Sequence, residues 1–456
     1  MRVRGLSMLM MCSAMTLLSA VGPATAKVSE GDAQQLRSRL TPLGGERAGN
    51  EDGTVPEWRG GLTAPPPCHA GGARYCDPYA GEKPFVTITA GTREEWRDYL
   101  SAGHIALLEA HRKTYRMELY RTQRSFANPG AVYDAAYQNA VKATLSPTGN
   151  SVREASIAVP FPMPKNGTEI IWNHKLRWRG TGYRRELTQA SVTPSGEAHL
   201  VSLREDADFP YARGGAADKD GIVQQWLWVV LQPERLHGFL LLVKESLDQE
   251  ALPPQAWLQQ QREGEARRMR RGKTFGFDGP AMLSDDLRFD DQLDTFFGSP
   301  ERYTWRIVAK REMVVPYNSY ALHSARRTLR SLIRPAHMDP TLARYELHRV
   351  WVVEAILKPK DLHRHTRRTF YFDEDSWQIL MVDLYDQGDR LWRFQEVHPL
   401  MAYDRATLMP AVEVHYDLGS SRYLLLGADE KDAERVEMGF DPTLFTPSGA
   451  RKSAPE

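Results

Sequence analysis

Apolar and polar residues alternate along most of the second half of the chain, which is the period-two pattern of half-buried β-strands. The pattern becomes regular near residue 169, and short turn-rich links interrupt it. Strands at hairpin spacing are typical of one large antiparallel sheet that is curled or nearly closed. The predicted strands are 171–178, 182–192, 198–203, 223–231, 236–244, 303–315, 344–357, 369–372, 377–384, 391–397 and 422–426.

Two helices are predicted ahead of this sheet. Thr92 is a suitable N-cap, since acidic residues fill the next turn and apolar residues follow at helical spacing. A second helix is predicted over 131–145, because Pro147 ends the pattern. The predicted fold class is therefore α+β and β-dominated, with a large curved antiparallel sheet packed on a few helices.

The first 26 residues have the pattern of a secretory signal peptide. Arg2 and Arg4 precede an apolar stretch over 6–21, and an Ala-Thr-Ala cleavage signal ends just before Lys27. The apolar stretch is shorter than the roughly 20 residues that a membrane-spanning helix needs. We therefore expect cleavage and a periplasmic protein.

The charge balance of the expected mature chain argues against nucleic acid as a partner. Without Arg2 and Arg4, 57 of the 59 Lys and Arg residues remain against 58 Asp and Glu residues, a net charge of −1. A near-neutral chain has no strong field of one sign to attract a polyanion. No nucleic-acid partner is predicted.

Proline and glycine divide the chain into segments. We expect a signal peptide over 1–26, a turn-rich segment over 27–92, the sheet and helices over 93–440, and a mobile tail over 441–456. Cys68 and Cys76 lie in the turn-rich segment, and an oxidising compartment favours a disulfide between them. Their spacing does not fit a redox C-x-x-C motif or a paired zinc knuckle, and free thiols remain the alternative.

Catalytic signatures are scarce in this sequence. The metalloprotease, nucleophile-elbow, P-loop and dinucleotide-binding motifs do not occur. We therefore predict no catalytic residues, no metal and no cofactor. One alternative is a metal-dependent hydrolase, in which His363 and His365 share one face of an extended segment and Asp373 or Asp375 adds a third ligand. The simpler interpretation places these histidines, exposed, in a charged loop.

Aromatic residues recur on the predicted strands, and a curved sheet has a hollow that helices, side chains or an apolar guest must fill. Ordinary core packing is the alternative for each ring. The predicted ligand-lining residues are Trp228, Trp351, Phe370, Phe372 and Trp392.

A basic run over 262–273 is a second candidate contact surface. In a strand, alternate arginines would face one side and could grip phosphate or carboxylate head groups, or a partner protein. A solvated face or an ion-pair ladder is the alternative. The arginines assigned to this contact are Arg267, Arg268, Arg270 and Arg271.

Several motifs resemble those of an exported Gram-negative family of unknown function, whose members are often labelled outer-membrane lipoprotein-sorting proteins. The resemblance implies a half-barrel like that of the lipoprotein carriers LolA and LolB. It also implies an RND-type exporter and an outer-membrane protein as partners. The motifs are 42–50, 55–58, 161–164, 171–174, 310, 315–318, 344–355 and 370–377.

The chain departs from the family pattern at two places. Gly272 stands where the family's Arg-rich segment has a proline, and residues 321–335 are unusually basic. Taken with the aromatic strands, the resemblance predicts a periplasmic carrier of lipid-like or other hydrophobic cargo. A cargo-free adaptor within an envelope export complex is the main alternative.

Overall fold

The computed structural model describes residues 27–69, 71, 74–214, 221–260, 267–269, 279, 281–324, 327–428, 435–436 and 439–454. The predicted signal peptide lies outside these residues, as do Arg270 and Arg271. The described helices are α1 (Glu30–Ala33), α2 (Ala102–Ala110), α3 (Gly130–Lys142), α4 (Gly167–Leu176) and α5 (Pro447–Lys452).

Strands dominate the described part of the chain. They are β1 (Val86–Ile88), β2 (Met117–Leu119), β3 (Thr144–Leu145), β4 (Val152–Arg153), β5 (Gly182–Val192), β6 (Ala198–Asp208), β7 (Ile222–Gln232), β8 (Leu240–Ser246), β9 (Gln255–Gln259), β10 (Arg267–Met269), β11 (Tyr303–Pro316), β12 (Tyr345–Leu357), β13 (Arg367–Asp373), β14 (Ile379–Tyr385), β15 (Leu391–Ala402), β16 (Thr407–Asp417), β17 (Arg422–Ala428) and β18 (Arg435–Val436).

Two antiparallel meanders join into one sheet. The first runs from β11 to β17 and the second from β5 to β10, and β17 pairs with β5 to connect them. The antiparallel β1–β2 pair joins β12 through Leu119 and Tyr345, while β18 pairs with β5. Strands β3 and β4 form a separate pair. The predicted fold class, a large curved antiparallel sheet with few helices, is confirmed.

The prediction of a strand over 171–178 is wrong, because α4 occupies most of this stretch. Asn166 caps the helix by accepting a hydrogen bond from the backbone N–H of Glu169. Nine of the ten helix residues are buried. A helix that is buried on all sides shows no amphipathic period, so its apolar run resembles a strand.

Strand β16 was missing from the predicted set. Pro410 lies inside it, and a proline within an apolar run argues against a central strand. The sheet accommodates this residue with a register shift where Pro399 on β15 faces Pro410.

The C-terminal segment, predicted to be a mobile tail, is folded over residues 439–454. A turn at Pro442–Phe445 leads into α5, and Phe445 and Ala450 are buried against Leu227 and Leu242 of the sheet. Two apolar side chains among prolines and small residues provide this anchor, which composition alone does not reveal.

The pairing of the strands shows which residues share one face of the sheet. Residues that pair across neighbouring strands lie on the same side of a sheet. The pairing leads from Phe370 to Gln395, then to His415 and to Ser191, so these residues share one side, which we call the inner face. Trp228 lies on the same side through its pairing with Glu205.

In the described part of the chain no helix has the length and apolar character needed to cross a membrane.

Candidate functional site

A cavity opens on the inner face where β5 to β8 approach β16 and β17. Residues from all six strands line it, although β16 and β8 are five strands apart in the sheet. In a flat sheet these two strands would lie roughly 24 Å apart, at about 4.8 Å per strand. The sheet therefore curls around the cavity.

The cavity is larger than a single water site. The space that the centres of water molecules can reach is ≈ 90 Å³, and the whole void is ≈ 1180 Å³ when its open mouth is included. One water needs about 10–15 Å³ by the first measure. The enclosed part is nevertheless smaller than the roughly 300–1,000 Å³ of a usual small-molecule pocket.

Apolar side chains form most of the cavity wall. Trp226 and Trp228 stack on each other with ring centroids 6.2 Å apart, and the indole N–H of Trp228 donates to Glu205 at 2.6 Å. This bond satisfies the one polar group of the Trp228 side chain and leaves its ring as an apolar surface. The other large apolar residues of the wall are Leu187, Leu203, Leu241, Met282, Leu293, Leu408, Met409 and Leu426.

Charged residues occupy one side of the same wall. Arg177 donates to both carboxylate oxygens of Asp294, at 2.6 and 3.0 Å, and Arg179 also pairs with Asp294. Arg185 pairs with Glu205 at 2.8 Å. Burial would raise the pKa of Asp294, but the charges of Arg177 and Arg179 outweigh it and hold this pKa well below its usual range.

Residues 281–297, which we call the cover segment, lie over the inner face at the cavity. Leu293 packs with the tryptophans of β7, and Leu287 packs with Leu424 and Leu426. Five of its residues have positive φ without being glycine, including Leu283 at 55° and Thr295 at 69°. For a β-branched residue this conformation is strained, and such strain collects at functional sites.

Trp228 is the one predicted lining residue in the cavity wall. Phe370 and Phe372 lie on the same inner face but in its filled half, where both are fully buried. Phe296 and Trp305 pack against Phe370 at ring distances of 5.7 and 5.5 Å. The protein's own rings therefore occupy the place where a ligand was predicted beside Phe370.

The other two predicted lining residues also lie away from this cavity, and Trp351 lines a separate open groove with Glu46 and Lys310. Trp351 stacks on Trp377 at 6.3 Å and carries the ammonium group of Lys310 over its ring at 5.2 Å. Trp392 contacts the ring of His365 at 5.2 Å and donates from its indole N–H to an aspartate of β16. The structure does not bring these residues together with Trp228.

His363 and His365 are buried, so their predicted exposure in a charged loop is wrong. Phe289 packs against both rings, and Arg368 contacts His363. Asp373 is held elsewhere, by Tyr317 and Ser376. Over the residues that the structure describes, no group of three His, Cys, Asp or Glu side chains is arranged to hold a metal.

The predicted disulfide between Cys68 and Cys76 is confirmed. The basic run can be followed only in part. Arg267 and Arg268 lie on β10, an end strand that pairs with β9, while Arg270 and Arg271 are outside the described residues. A head-group or partner contact by these arginines stays a prediction.

The family motifs meet at a charged network in the filled half of the sheet. Lys310 bridges Glu46 and Glu374 at 3.0 and 2.7 Å, and Arg124 pairs with Asp375 at 2.6 Å. The backbone at Gly44 is close to Pro162, since a Cβ on Gly44 would lie 1.7 Å from the carbonyl oxygen of Pro162, while an open groove borders Glu46 and Lys310. The network fastens the N-terminal segment to the sheet.

Sequence reasoning missed most of the cavity. Arg288 lies in the loop-like cover segment, and Met409 and Ala411 lie on the unpredicted β16. Leu187 and Leu203 belong to predicted strands but are ordinary aliphatic residues there. One signal was available: the charged residues Arg185 and Glu205 lie on the same sides of β5 and β6 as the aliphatic Leu187 and Leu203.

Two sequence comparisons match nearly the whole chain. Residues 87–451 match the model of the family described as "Protein of unknown function (DUF1329)". An uncharacterized protein of Pseudomonas aeruginosa is 39% identical over 434 residues, which covers 94% of each chain.

Solved structures match a smaller share of the chain. A DUF1329 family protein from Desulfovibrio piger is 13% identical with a TM-score of 0.40, over 59% of this chain and 91% of that chain. A putative outer membrane lipoprotein-sorting protein domain from Vibrio parahaemolyticus is 16% identical with a TM-score of 0.41, over 62% and 98%. A LolA superfamily protein from Nitrosomonas europaea is 9% identical with a TM-score of 0.37, over 62% and 97%.

Proposed function

We propose a function from the geometry, because this chain belongs to the DUF1329 family of proteins of unknown function. The family match confirms the resemblance of its motifs. The proposed function is that of a carrier for a lipid-like, hydrophobic ligand. The observation that supports this proposal is the cavity on the inner face. Two stacked tryptophans and a set of aliphatic residues surround a space that no side chain of the described residues fills.

Hydrophobic burial alone makes such a carrier physically feasible. A chain of about 14 methylene groups gains roughly 11 kcal/mol on leaving water, at about 0.8 kcal/mol per group. Lost motion and ordering on association take back about 4–15 kcal/mol. At the lower end of this cost about 7 kcal/mol remains, which corresponds to a dissociation constant of about 10 μM and suits a protein that must release its cargo.

An acyl chain of this length needs more room than the enclosed part of the cavity offers. The cover segment is anchored unevenly. Near its C-terminal end, Asp291 pairs with Arg368 at 2.5 Å, and Asp294 pairs with Arg177. Near its N-terminal end, the carbonyl oxygens of Leu283 and Asp286 accept hydrogen bonds from Gln189 and Arg393, and the ion pair of Asp286 with Arg364 is exposed.

The unequal anchors predict which part of the cover moves. Buried ion pairs are costly to break, whereas a lost hydrogen bond costs about 1 kcal/mol on average. We therefore expect the ligand to displace residues 281–286 and to leave residues 287–297 in place, since Leu287, Arg288 and Phe289 are buried.

The setting of the carrier is part of the proposal. The predicted signal peptide and the family resemblance support a periplasmic location. The resemblance also supports an RND-type exporter and an outer-membrane protein as the partners that supply and receive the cargo. A cargo-free adaptor in the same export complex is the function that the experiment must separate from a carrier.

Native mass spectrometry of the protein purified from its host provides the test. A carrier should retain bound lipid-like molecules, and the delipidated protein should bind palmitate with quenching of its tryptophan fluorescence. An Ala411→Trp protein is the matched control, since Ala411 lies in the cavity wall and an indole there fills the space. An empty protein that binds no long-chain amphiphile, but captures the exporter, would favour the adaptor.

A further inference from the structure

The cavity wall carries more positive than negative charge. Its lining includes five arginines and three carboxylates, so the formal sum is +2. Arg177 and Arg179 share Asp294, and Arg185 is paired with Glu205. The remaining charged residues of the cavity lining are Arg288, Arg405 and Glu413.

Arg288 is a buried arginine of this lining that has no ion pair with a described carboxylate. It is 7% exposed, and its Nη2 donates to the side-chain oxygen of Gln189 at 3.3 Å. Its Nε has no hydrogen-bond partner among the described residues, and no carboxylate of those residues forms an ion pair with its guanidinium group. Burial lowers the pKa of Arg288, although an arginine stays protonated at any physiological pH.

Arg405, in the β15–β16 hairpin, is only partly satisfied. Its Nη1 is buried without a hydrogen-bond partner in the described part of the chain, and its Nε lies 3.7 Å from Asp404. Among the carboxylates, Glu413 acts most strongly on Arg288, followed by Asp290 and Glu205, and one oxygen of Glu413 also lacks a hydrogen-bond partner in the described structure. The cavity lining itself keeps its formal excess of two positive charges.

A buried charge without a partner is costly, and arginine is suited to satisfying carboxylate and phosphate groups through two parallel hydrogen bonds. A cationic ligand would meet Glu413 but also the excess of guanidinium groups. A neutral ligand would leave the guanidinium group of Arg288 without an ionic partner. An anionic group is the ligand chemistry that removes the imbalance.

We propose, on the basis of the carrier function above, that the cargo is an amphiphile with an anionic head group, that its chain lies against Trp226 and Trp228, and that Arg288 binds the head group. Arg405 is the second cation within the same wall. The head-group site thus lies inside the curled sheet, beside the cover segment, and not on the basic run over 262–273.

The test varies the ligand before it varies the protein. The delipidated protein is titrated with palmitate, hexadecyl phosphate, hexadecanol and hexadecylamine, and binding is measured by tryptophan quenching and calorimetry. Both anions should bind about 10- to 100-fold more tightly than the alcohol, since a hydrogen bond to a charged group contributes that much. The stronger of the two anions identifies the source as a carboxylate or a phosphate.

Variants then assign the effect to one residue. Arg288→Gln should lower the affinity for both anions by about 10- to 100-fold and leave hexadecanol binding unchanged. Arg288→Lys should restore part of the loss. Arg390→Gln, at an exposed arginine that pairs with Asp386 on a hairpin, is the matched control.

The outcomes separate this inference from the carrier function itself. Equal binding of palmitate and hexadecanol would overturn the anionic head group and leave the carrier in place. If none of the four probes binds, the carrier function fails as well. Should the Arg288→Gln protein not fold, the comparison of the four ligands on the unaltered protein still decides.

Discussion

The two halves of one sheet use the same inner face in opposite ways. Around Phe370, the rings of Trp305 and Phe296 fill the face, and nearby Arg124 pairs with Asp375. Between β5 and β8, the face borders a void, over which the cover segment places Arg288 without an ion pair to any described carboxylate. An aromatic strand alone therefore does not locate unfilled space, and the proposed ligand site depends on the void and on the burial of Arg288 beside it.

Removing one arginine from each half should give the largest contrast. Arg124→Met leaves Glu374 and Asp375 buried without this cation, so we expect a loss of about 3–5 kcal/mol in the free energy of unfolding. Arg288→Met removes a buried charge that lacks an ion-pair partner in the described structure, so its stability should stay equal or rise by about 1 kcal/mol. Urea denaturation monitored by circular dichroism provides both values.

The arginine contrast has a clear contrary outcome. If Arg288→Met costs as much as Arg124→Met, then Arg288 supports the fold, and its lack of an ionic partner has no bearing on ligands. Arg390→Gln should change stability by less than about 0.5 kcal/mol and serves as the surface control.

Truncating a buried leucine in each half compares how well the two regions are packed. Leu384 belongs to the main core, whereas Leu203 lines the cavity. The usual cost of Leu→Ala is about 2–5 kcal/mol and depends on the space left behind. We expect Leu384→Ala at the upper end and Leu203→Ala at the lower end, measured by the same urea titrations. Equal losses would mean that the cavity wall is as tightly packed as the core.

Lowering the pH should weaken the protein through histidines that are buried in the neutral form. Burial and the charge of Arg288 lower the pKa of His415 to about 4, although Glu413 opposes them. The unfolded chain, with an ordinary pKa near 6.5, then binds the proton first as the pH falls. This residue's contribution is complete above pH 6.5 and is lost between pH 6.5 and 4, up to about 3 kcal/mol.

Replacing His415 isolates its share of the pH dependence. His415→Gln should reduce the slope of unfolding free energy against pH by about 1.4 kcal/mol per pH unit between pH 4 and 6.5. His174 and His365, whose pKa values are also lowered by burial, should maintain the rest of the slope. An unchanged slope in the variant would show that His415 titrates normally; the exposed His199→Gln is the control.

Enlarging an alanine should give the smallest effect on stability and the clearest effect on binding. Ala355 is fully buried in the core, so Ala355→Phe should cost about 1–3 kcal/mol through overpacking. Ala411 faces the cavity, so Ala411→Phe should cost less than about 1 kcal/mol and abolish palmitate binding. Thermal denaturation and tryptophan quenching check the two results. A destabilised Ala411→Phe protein that still binds palmitate would place the ligand elsewhere.

The sequence predicted the sheet better than it predicted the site. Period-two alternation located β5, β11 and β12 almost to their ends, because one side of each strand faces a core. It failed at α4, which is buried all round, and at β16, which includes Pro410. Both failures arise where tertiary packing overrides a local pattern.

The candidate site depends on contacts that no local pattern encodes. Trp228 was found because it is aromatic, but Phe370 is equally aromatic and packs against the protein's own rings. Arg288 gave no signal, since it stands alone in a turn-rich segment and acquires meaning only from its burial beside the void. Which half of the inner face stays open is decided by where α4 and the cover segment lie.

The most direct test of the proposed cavity is the position of a bound chain. Crystals of the protein loaded with palmitate brominated at its terminal carbon would locate that carbon by anomalous scattering. We predict one bromine peak inside the curled sheet, between Trp228 and Ala411, with residues 281–286 displaced. A peak elsewhere on the protein, or none in fully loaded crystals, would contradict a ligand-binding cavity.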